Sequence, residues 1–176
     1  MNLPNKLTIA RMISVPFFII CFMLGIYPAA LVIFIAASVT DYFDGKIARA
    51  QNLVTNFGKI MDPLADKILV YSALCLFIET NTIDAWMLIV ILAREFVVAG
   101  MRTVAASEGR VLAAGMSGKI KTVLQMIAVI LLLLGLWLTD FHQITVVGYA
   151  VFIASLVMTV YSGAEYVYQN RDVFSM

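Results

Sequence analysis

The stretch "SVTDYFDGKIARAQNLVTNFGKIMDPLADK", residues Ser38 to Lys67, sets four aspartates, Asp41, Asp44, Asp62 and Asp66, between long apolar runs. Asp41 and Asp44 stand three apart and share one face of a helix, and Ala48, four beyond Asp44, continues that face. Asp62 and Asp66 stand four apart and share a face of the next helix. A tight turn around Asn52 to Asn56 would bring the two faces together, with four carboxylates at the end of a helix pair.

Four close negative charges repel and raise one another's pKa, and divalent cations remove that penalty. Carboxylate oxygens are hard ligands suited to Mg²⁺ or Mn²⁺. Two ions bridged by shared carboxylates suit phosphoryl chemistry. Gly45 and Gly58 are poor helix formers, yet each lets a bulky ligand approach the backbone. With the small Ala48 they leave room for a nucleotide whose phosphates rest on the metals. The plainer alternative pairs the acids with Lys46, Arg49, Lys59 and Lys67. Four acids at helical spacing, interleaved with two glycines, favour the functional reading, because acids near apolar spans are costly to bury.

The chain around this stretch is 62% hydrophobic and 13% charged, with a mean hydropathy of +0.97. A soluble domain carries roughly 45–50% apolar and about 25% charged residues. The class expected is therefore an all-α polytopic membrane protein. No linker, low-complexity tract or fixed-period repeat divides it, so residues 1–176 form one membrane-embedded domain. A net charge of +1, with basic residues interspersed among acids, gives no footprint for nucleic acid. Cys21 and Cys75 sit in apolar runs and His142 is the only histidine, which argues for buried free thiols and against zinc. Lys6 and Arg11 before an apolar run, with "YPAA" after it, suggest a signal peptide. The further apolar segments make a retained first span the better reading.

Six segments qualify as spans: Met12 to Ile26, Ala29 to Thr40 continuing helically through Arg49, Ile60 to Ile78, Ala85 to Val104, Ile120 to Leu138 and Ile144 to Tyr168. Pro28, "ETNTID" and "TDFHQ" mark turns. "NLPNKLTIAR" is expected as a short N-terminal helix along the interface, with Leu3, Leu7 and Ala10 toward lipid and Lys6 toward headgroups. Lys6, Arg11, Lys46, Arg49, Lys59, Arg102, Arg110, Lys119, Lys121 and Arg171 all fall on one side of such a bundle. The opposite turns hold Glu79, Asp84, Asp140 and His142, without Lys or Arg. The positive-inside rule then puts both termini, and the aspartates, in the cytoplasm.

The string D-x2-D-G-x2-A-R-x8-G-x3-D-x3-D, from Asp41 to Asp66, resembles the signature of the CDP-alcohol phosphotransferase family with no position missing. "NLPNKLTIAR", "DPLADK", "LAREF", "GKIKT" and "YSGAEY" resemble the bacterial members whose acceptor is glycerol 3-phosphate. The resemblance implies a six-helix homodimer in the plasma membrane, with a polar cavity facing the cytoplasm and open to membrane lipids. It implies two ions, with Asp41 and Asp62 bridging, Asp44 completing one site and Asp66 the other. Asp66 would also be the catalytic base. Asp41, Asp44, Gly45, Ala48, Arg49, Gly58 and Asp62 would line the CDP moiety. The implied reaction moves the phosphatidyl group of CDP-diacylglycerol to the sn-1 hydroxyl of glycerol 3-phosphate, releasing CMP in phospholipid biosynthesis.

A dianionic acceptor needs cations. Arg94 lies well inside the fourth segment, where a charge is costly and is expected to face the cavity; its plain partner is Glu95. Lys119 and Lys121 join it, followed by Arg11 and Arg102, while Thr8 with Arg11 is expected to close the cavity. Arg110 reads as a loop residue, and Glu165 as the partner of a cytoplasmic-side base. Trp86, Trp137, Tyr166 and Tyr168 fit an interfacial belt. Two rivals stay open: a member of the same family with serine, inositol phosphate or a cardiolipin-type acceptor, and a small cation or proton transporter. The second requires acids spread along the membrane depth and has no need for Gly45 or Gly58.

Overall fold

Apolar runs separated by short polar turns fold into six α-helices among the described residues: α1 (Leu3–Met23), α2 (Tyr27–Ala50), α3 (Asn56–Glu79), α4 (Ala85–Ser107), α5 (Met116–Trp137) and α6 (His142–Gln169). A short 3₁₀ helix, Arg171–Phe174, follows. The structure is a computed structural model. It describes the backbone of residues 3–50, 56–110, 112–113 and 115–174, and the side chains of 5–40, 61, 64–110, 112–113 and 115–172. The described residues contain no strand.

Three helix ends close in the same way. Gly25, Asn81 and Gly109 adopt positive φ after α1, α3 and α4. The next N–H then reaches back five residues: Ile26 to the Cys21 carbonyl at 2.9 Å, Thr82 to Phe77 at 2.8 Å and Arg110 to Ala105 at 2.9 Å. Such caps satisfy carbonyls that the helix itself leaves unpaired. Pro28 falls in the first turn of α2, where its missing N–H costs nothing.

The N-terminal stretch corrects the expected interfacial helix. Residues from Leu3 onward run without a break into the first apolar segment, as one helix of 21 residues. Thr8 and Arg11 are buried at 1% and 3% exposure, where a surface-lying helix would turn its polar residues outward.

Asn5–Met23, Met116–Trp137 and His142–Gln169 are long and apolar enough to cross a membrane. Tyr27–Thr40 is a shorter apolar helix. α4 carries Arg94, Glu95 and Arg102 along its length, and α3 carries Asp66 and Lys67. Those charges give the two helices their mixed character. Phe17, Phe96 and Val157 are more than half exposed, as suits side chains facing lipid. Inside, Phe18, Phe34, Phe77, Leu74, Ile91, Leu132 and Phe152 form one core. Phe18 packs on Phe34 with ring centroids 6.0 Å apart.

The α5–α6 hairpin is the most extensive helix contact. A Cβ on Gly148 would lie 3.1 Å from the Leu132 backbone nitrogen, so the small residue permits the close approach. α1 packs on α2 and α3, α2 on α5, and α4 on α6. The C-terminal ends of α4 and α6 therefore meet the start of α5, and this end of the bundle holds the cavity described next.

Candidate active site

The aspartate motif occupies two consecutive helices that touch each other. The C-terminal part of α2 carries Asp41, Asp44, Gly45, Ala48 and Arg49, and the N-terminal half of α3 carries Gly58, Asp62 and Asp66. The side chains of Asp41, Asp44, Ala48, Arg49 and Asp62 lie outside the described residues, as does any side-chain geometry at Gly45 and Gly58. Asp66 is described and half-buried. Among the described residues, no three His, Cys, Asp or Glu side chains gather to hold a metal. Three of the four expected ligands fall outside that set. The donors themselves suit hard divalent ions: carboxylates at i, i+3 on one helix and i, i+4 on its neighbour.

A cavity of about 760 Å³ opens between α4, α5 and α6, and Lys67 reaches its wall from α3. Arg94, Arg102 and Lys119, three of the expected acceptor residues, line it. Arg94 is held by its neighbours' lack of side chains. A Cβ on Gly163 would stand 2.8 Å from Arg94 Cγ, and one on Gly118 would stand 3.3 Å from Nη2. These glycines come from "YSGAEY" and "GKIKT", so both stretches shape the channel that the arginine threads. Arg94 Nη1 donates to Glu95 Oε1 at 3.1 Å, although adjacent helical residues ordinarily point apart. Its Nε is buried with no hydrogen-bond partner among the described residues, which leaves a donor for an anion.

Arg102 is fixed from α6. Its Nε donates to the Tyr166 hydroxyl at 3.1 Å, and its Cζ lies 5.4 Å from the Tyr166 ring centroid. Tyr166 is thus a buried cavity residue and not part of an interfacial belt, whereas Trp86, Trp137 and Tyr168 are exposed, as a belt requires. Lys119 is exposed on the cavity wall.

Three expectations need correction. Lys121 does not line the cavity; it is buried behind it, where its ammonium pairs with Glu95. The lysines at 119 and 121 sit on different sides of α5, since two helical residues two apart do not share a face. Arg11 and Thr8 lie on α1 and are not among the residues that line this cavity. Arg11 Nε donates to the Ala37 carbonyl of α2 at 3.3 Å, beside a separate hollow of about 270 Å³. The continuous first helix carries Arg11 into the α1–α2 seam. Among the described residues Glu165 bonds to no base: it accepts from Ser117 Oγ, and from Gln169 Nε2 at 3.4 Å.

Arg110 is the loop residue expected. It is exposed and pairs with Asp172, which ties the α4–α5 loop to the segment after α6 and raises the arginine's pKa further.

Two participants, Glu95 and Lys67, read from the sequence only as plain ion-pair partners of Arg94 and of the aspartates. Glu95 gathers three cations: Lys67 Nζ lies 3.0 Å from Oε2, while Lys121 and Arg94 share Oε1. Lys67 thereby joins the motif helix to the cavity. The sequence hint was there, since Lys67 closes "DPLADK" and Glu95 lies in "LAREF". The pairing across 28 positions is a property of the fold alone.

The family model for CDP-alcohol phosphatidyltransferase matches residues 1–161. Relatives are similar along nearly the whole chain. The CDP-diacylglycerol–glycerol-3-phosphate 3-phosphatidyltransferase of Bacillus subtilis is 44% identical, covering 97% of this chain and 96% of the relative. Proteins of the same name from Rickettsia felis and Rickettsia bellii are each 38% identical, covering 94% of this chain and 93% of the relative. With the motif unbroken across α2 and α3 and the match running through 161 of its residues, the chain belongs to the CDP-alcohol phosphatidyltransferase family.

Proposed function

We propose that this enzyme transfers the phosphatidyl group of CDP-diacylglycerol to the sn-1 hydroxyl of glycerol 3-phosphate, giving phosphatidylglycerophosphate and CMP. The observation that carries a phosphate-bearing acceptor is the cationic cavity, and the relatives' names single out glycerol 3-phosphate among such acceptors. Arg94, Arg102, Lys119 and Lys67 converge on one chamber at the same end of the bundle as the motif. Phosphate recognition is the chemistry such a set performs: arginines offer a planar fork and lysines a point charge. Serine, a zwitterion, would not call for so many cations.

In this reading the six helices all span the plasma membrane, with both termini and the active site on the cytoplasmic side. The one-sided distribution of Lys and Arg supports that orientation. The working enzyme is a homodimer. Asp41, Asp44, Asp62 and Asp66 hold two Mg²⁺ or Mn²⁺ ions, and their carboxylate oxygens fit that role. Ions held there would supply positive charge to offset that of the diphosphate and the leaving group. Gly45, Ala48, Arg49 and Gly58 accommodate the CDP moiety. The acyl chains stay in lipid. Arg94, Arg102 and Lys119 bind the acceptor phosphate and orient its sn-1 hydroxyl. Asp66 takes the proton from that hydroxyl. The oxygen bonds to the phosphorus that carries diacylglycerol, and the bond from that phosphorus to the bridging oxygen breaks. The electron pair leaves on CMP. No serine or cysteine intervenes, so the displacement is direct.

The test uses purified protein in detergent with CDP-diacylglycerol, Mg²⁺ or Mn²⁺, and labelled glycerol 3-phosphate, serine or inositol phosphate in turn. CMP release with glycerol 3-phosphate alone is the expected result. Release with a different acceptor would overturn the assignment within the family. No release with any acceptor would favour the transporter reading.

A further inference from the structure

We infer that Lys67 is a further phosphate-binding residue of the acceptor cavity and that Glu95 is the residue that positions it, with Lys121 as the buried anchor. The inference rests on the reading that this cavity receives the acceptor.

Three side chains from three helices form the relay. Lys67 stands on α3, one residue after Asp66; Glu95 stands on α4 and Lys121 on α5. The two carboxylate oxygens of Glu95 have separate tasks. Oε1 takes the buried Lys121 together with Arg94, and Oε2 takes Lys67 at 3.0 Å. Exposure falls along the relay: the Lys67 side chain is 40% exposed, Glu95 12% and Lys121 6%. Only Lys67 and Glu95 of the three touch the cavity.

A lysine on an open wall is a mobile point charge on a four-carbon stem. Here one end of the stem is fixed by α3, and the ammonium is held by a carboxylate that two further cations hold in place. The ammonium has three donors and Glu95 takes one of them, so others remain for a ligand. One carboxylate against three cations also leaves the cluster positive. A dianion entering the cavity meets that excess, and binding does not require Glu95 to let go. Because Lys67 directly follows Asp66, a phosphate held at Lys67 brings the acceptor to the helix whose carboxylate removes its proton. The rival explanation is a purely structural ion network stapling α3, α4 and α5.

Kinetics of the full chain in detergent separate the two. Each substrate is varied at saturating levels of the other for Lys67→Ala, Glu95→Gln, Glu95→Asp and the double variant Lys67→Ala/Glu95→Gln. Loss of a hydrogen bond to a charged group is worth about tenfold in affinity or more. Lys67→Ala and Glu95→Gln should each raise KM for glycerol 3-phosphate about tenfold, leaving KM for CDP-diacylglycerol within about twofold. The double variant should be no worse than Lys67→Ala, because Glu95 acts through Lys67. Glu95→Asp should recover part of the loss. Thermal unfolding and gel filtration report folding. If Glu95→Gln does not fold, Lys67→Ala and Lys67→Arg carry the test, with arginine expected to retain more acceptor affinity than alanine. An unchanged KM for glycerol 3-phosphate in Lys67→Ala overturns the inference. So does a double variant that loses the product of the two single effects. Equal losses for both substrates would indicate the structural network instead. Lys119→Ala separates this failure from that of the cavity itself. If it raises KM for glycerol 3-phosphate while Lys67→Ala does not, only the inference falls; if neither moves it, the acceptor cavity falls too.

Discussion

The motif on α2 and α3 and the cavity among α4, α5 and α6 are built on different scales. The motif is local, its acids three and four apart on consecutive helices. The cavity is assembled from distant pairs: Lys121 with Glu95 across 26 positions, Ser117 with Glu165 across 48 and Arg102 with Tyr166 across 64. In the proposed function, the ligands assigned to the diphosphate sit in a short string, while the residues assigned to the acceptor are dispersed along the chain.

Variants that break this division have effects of graded size. The largest belongs to the motif. Asp66→Asn should reduce CMP release about 10²–10⁴-fold, the range for a lost general base, with KM for glycerol 3-phosphate little changed. Stripping divalent ions with a chelator should abolish turnover, and Mg²⁺ or Mn²⁺ should restore it. If Asp66→Asn instead weakens acceptor binding, the two regions do not divide the work. Next comes the cavity's best-held cation. Arg94→Ala should raise KM for glycerol 3-phosphate about 10–100-fold, as for a lost charge-assisted contact. A chain that shifts its CDP-diacylglycerol KM instead would place Arg94 with the motif.

A smaller effect sharpens the comparison further. Gly163→Ala puts a methyl group 2.8 Å from Arg94 Cγ, and the arginine stem must shift. An acceptor KM raised roughly two- to fivefold, with the fold intact, would match mild overpacking against a flexible side chain. The smallest belongs outside both regions. Arg110→Ala removes an exposed ion pair with Asp172, and activity at ordinary salt should not change measurably. A large loss would mean that the α4–α5 loop takes part in binding.

What could be read from the chain follows the same split. Five of the six helices fall close to the apolar runs, because turns such as "ETNTID" interrupt them cleanly. α1 begins earlier than hydropathy suggests, since Lys6 and Arg11 dilute the average without breaking the helix. Arg94 was legible because a charge deep in an apolar segment demands a reason. Lys119 and Lys121 were not distinguishable: a spacing of two places them on different faces, but only packing decides which face is buried. Thr8 and Arg11 share a face at spacing three, yet Arg11 bonds to α2 and neither residue lines the cavity. Lys67 looked like a mere counter-ion to nearby aspartates, because its true partner stands on another helix.

The most direct test of the division is binding of labelled glycerol 3-phosphate to the Asp66→Asn protein, with CDP-diacylglycerol and Mn²⁺ present, read before the slowed turnover consumes the acceptor. The account predicts that the acceptor still binds, and that adding Arg94→Ala to the same protein removes that binding. Loss of binding in Asp66→Asn alone, or binding that survives the added Arg94→Ala, would contradict it.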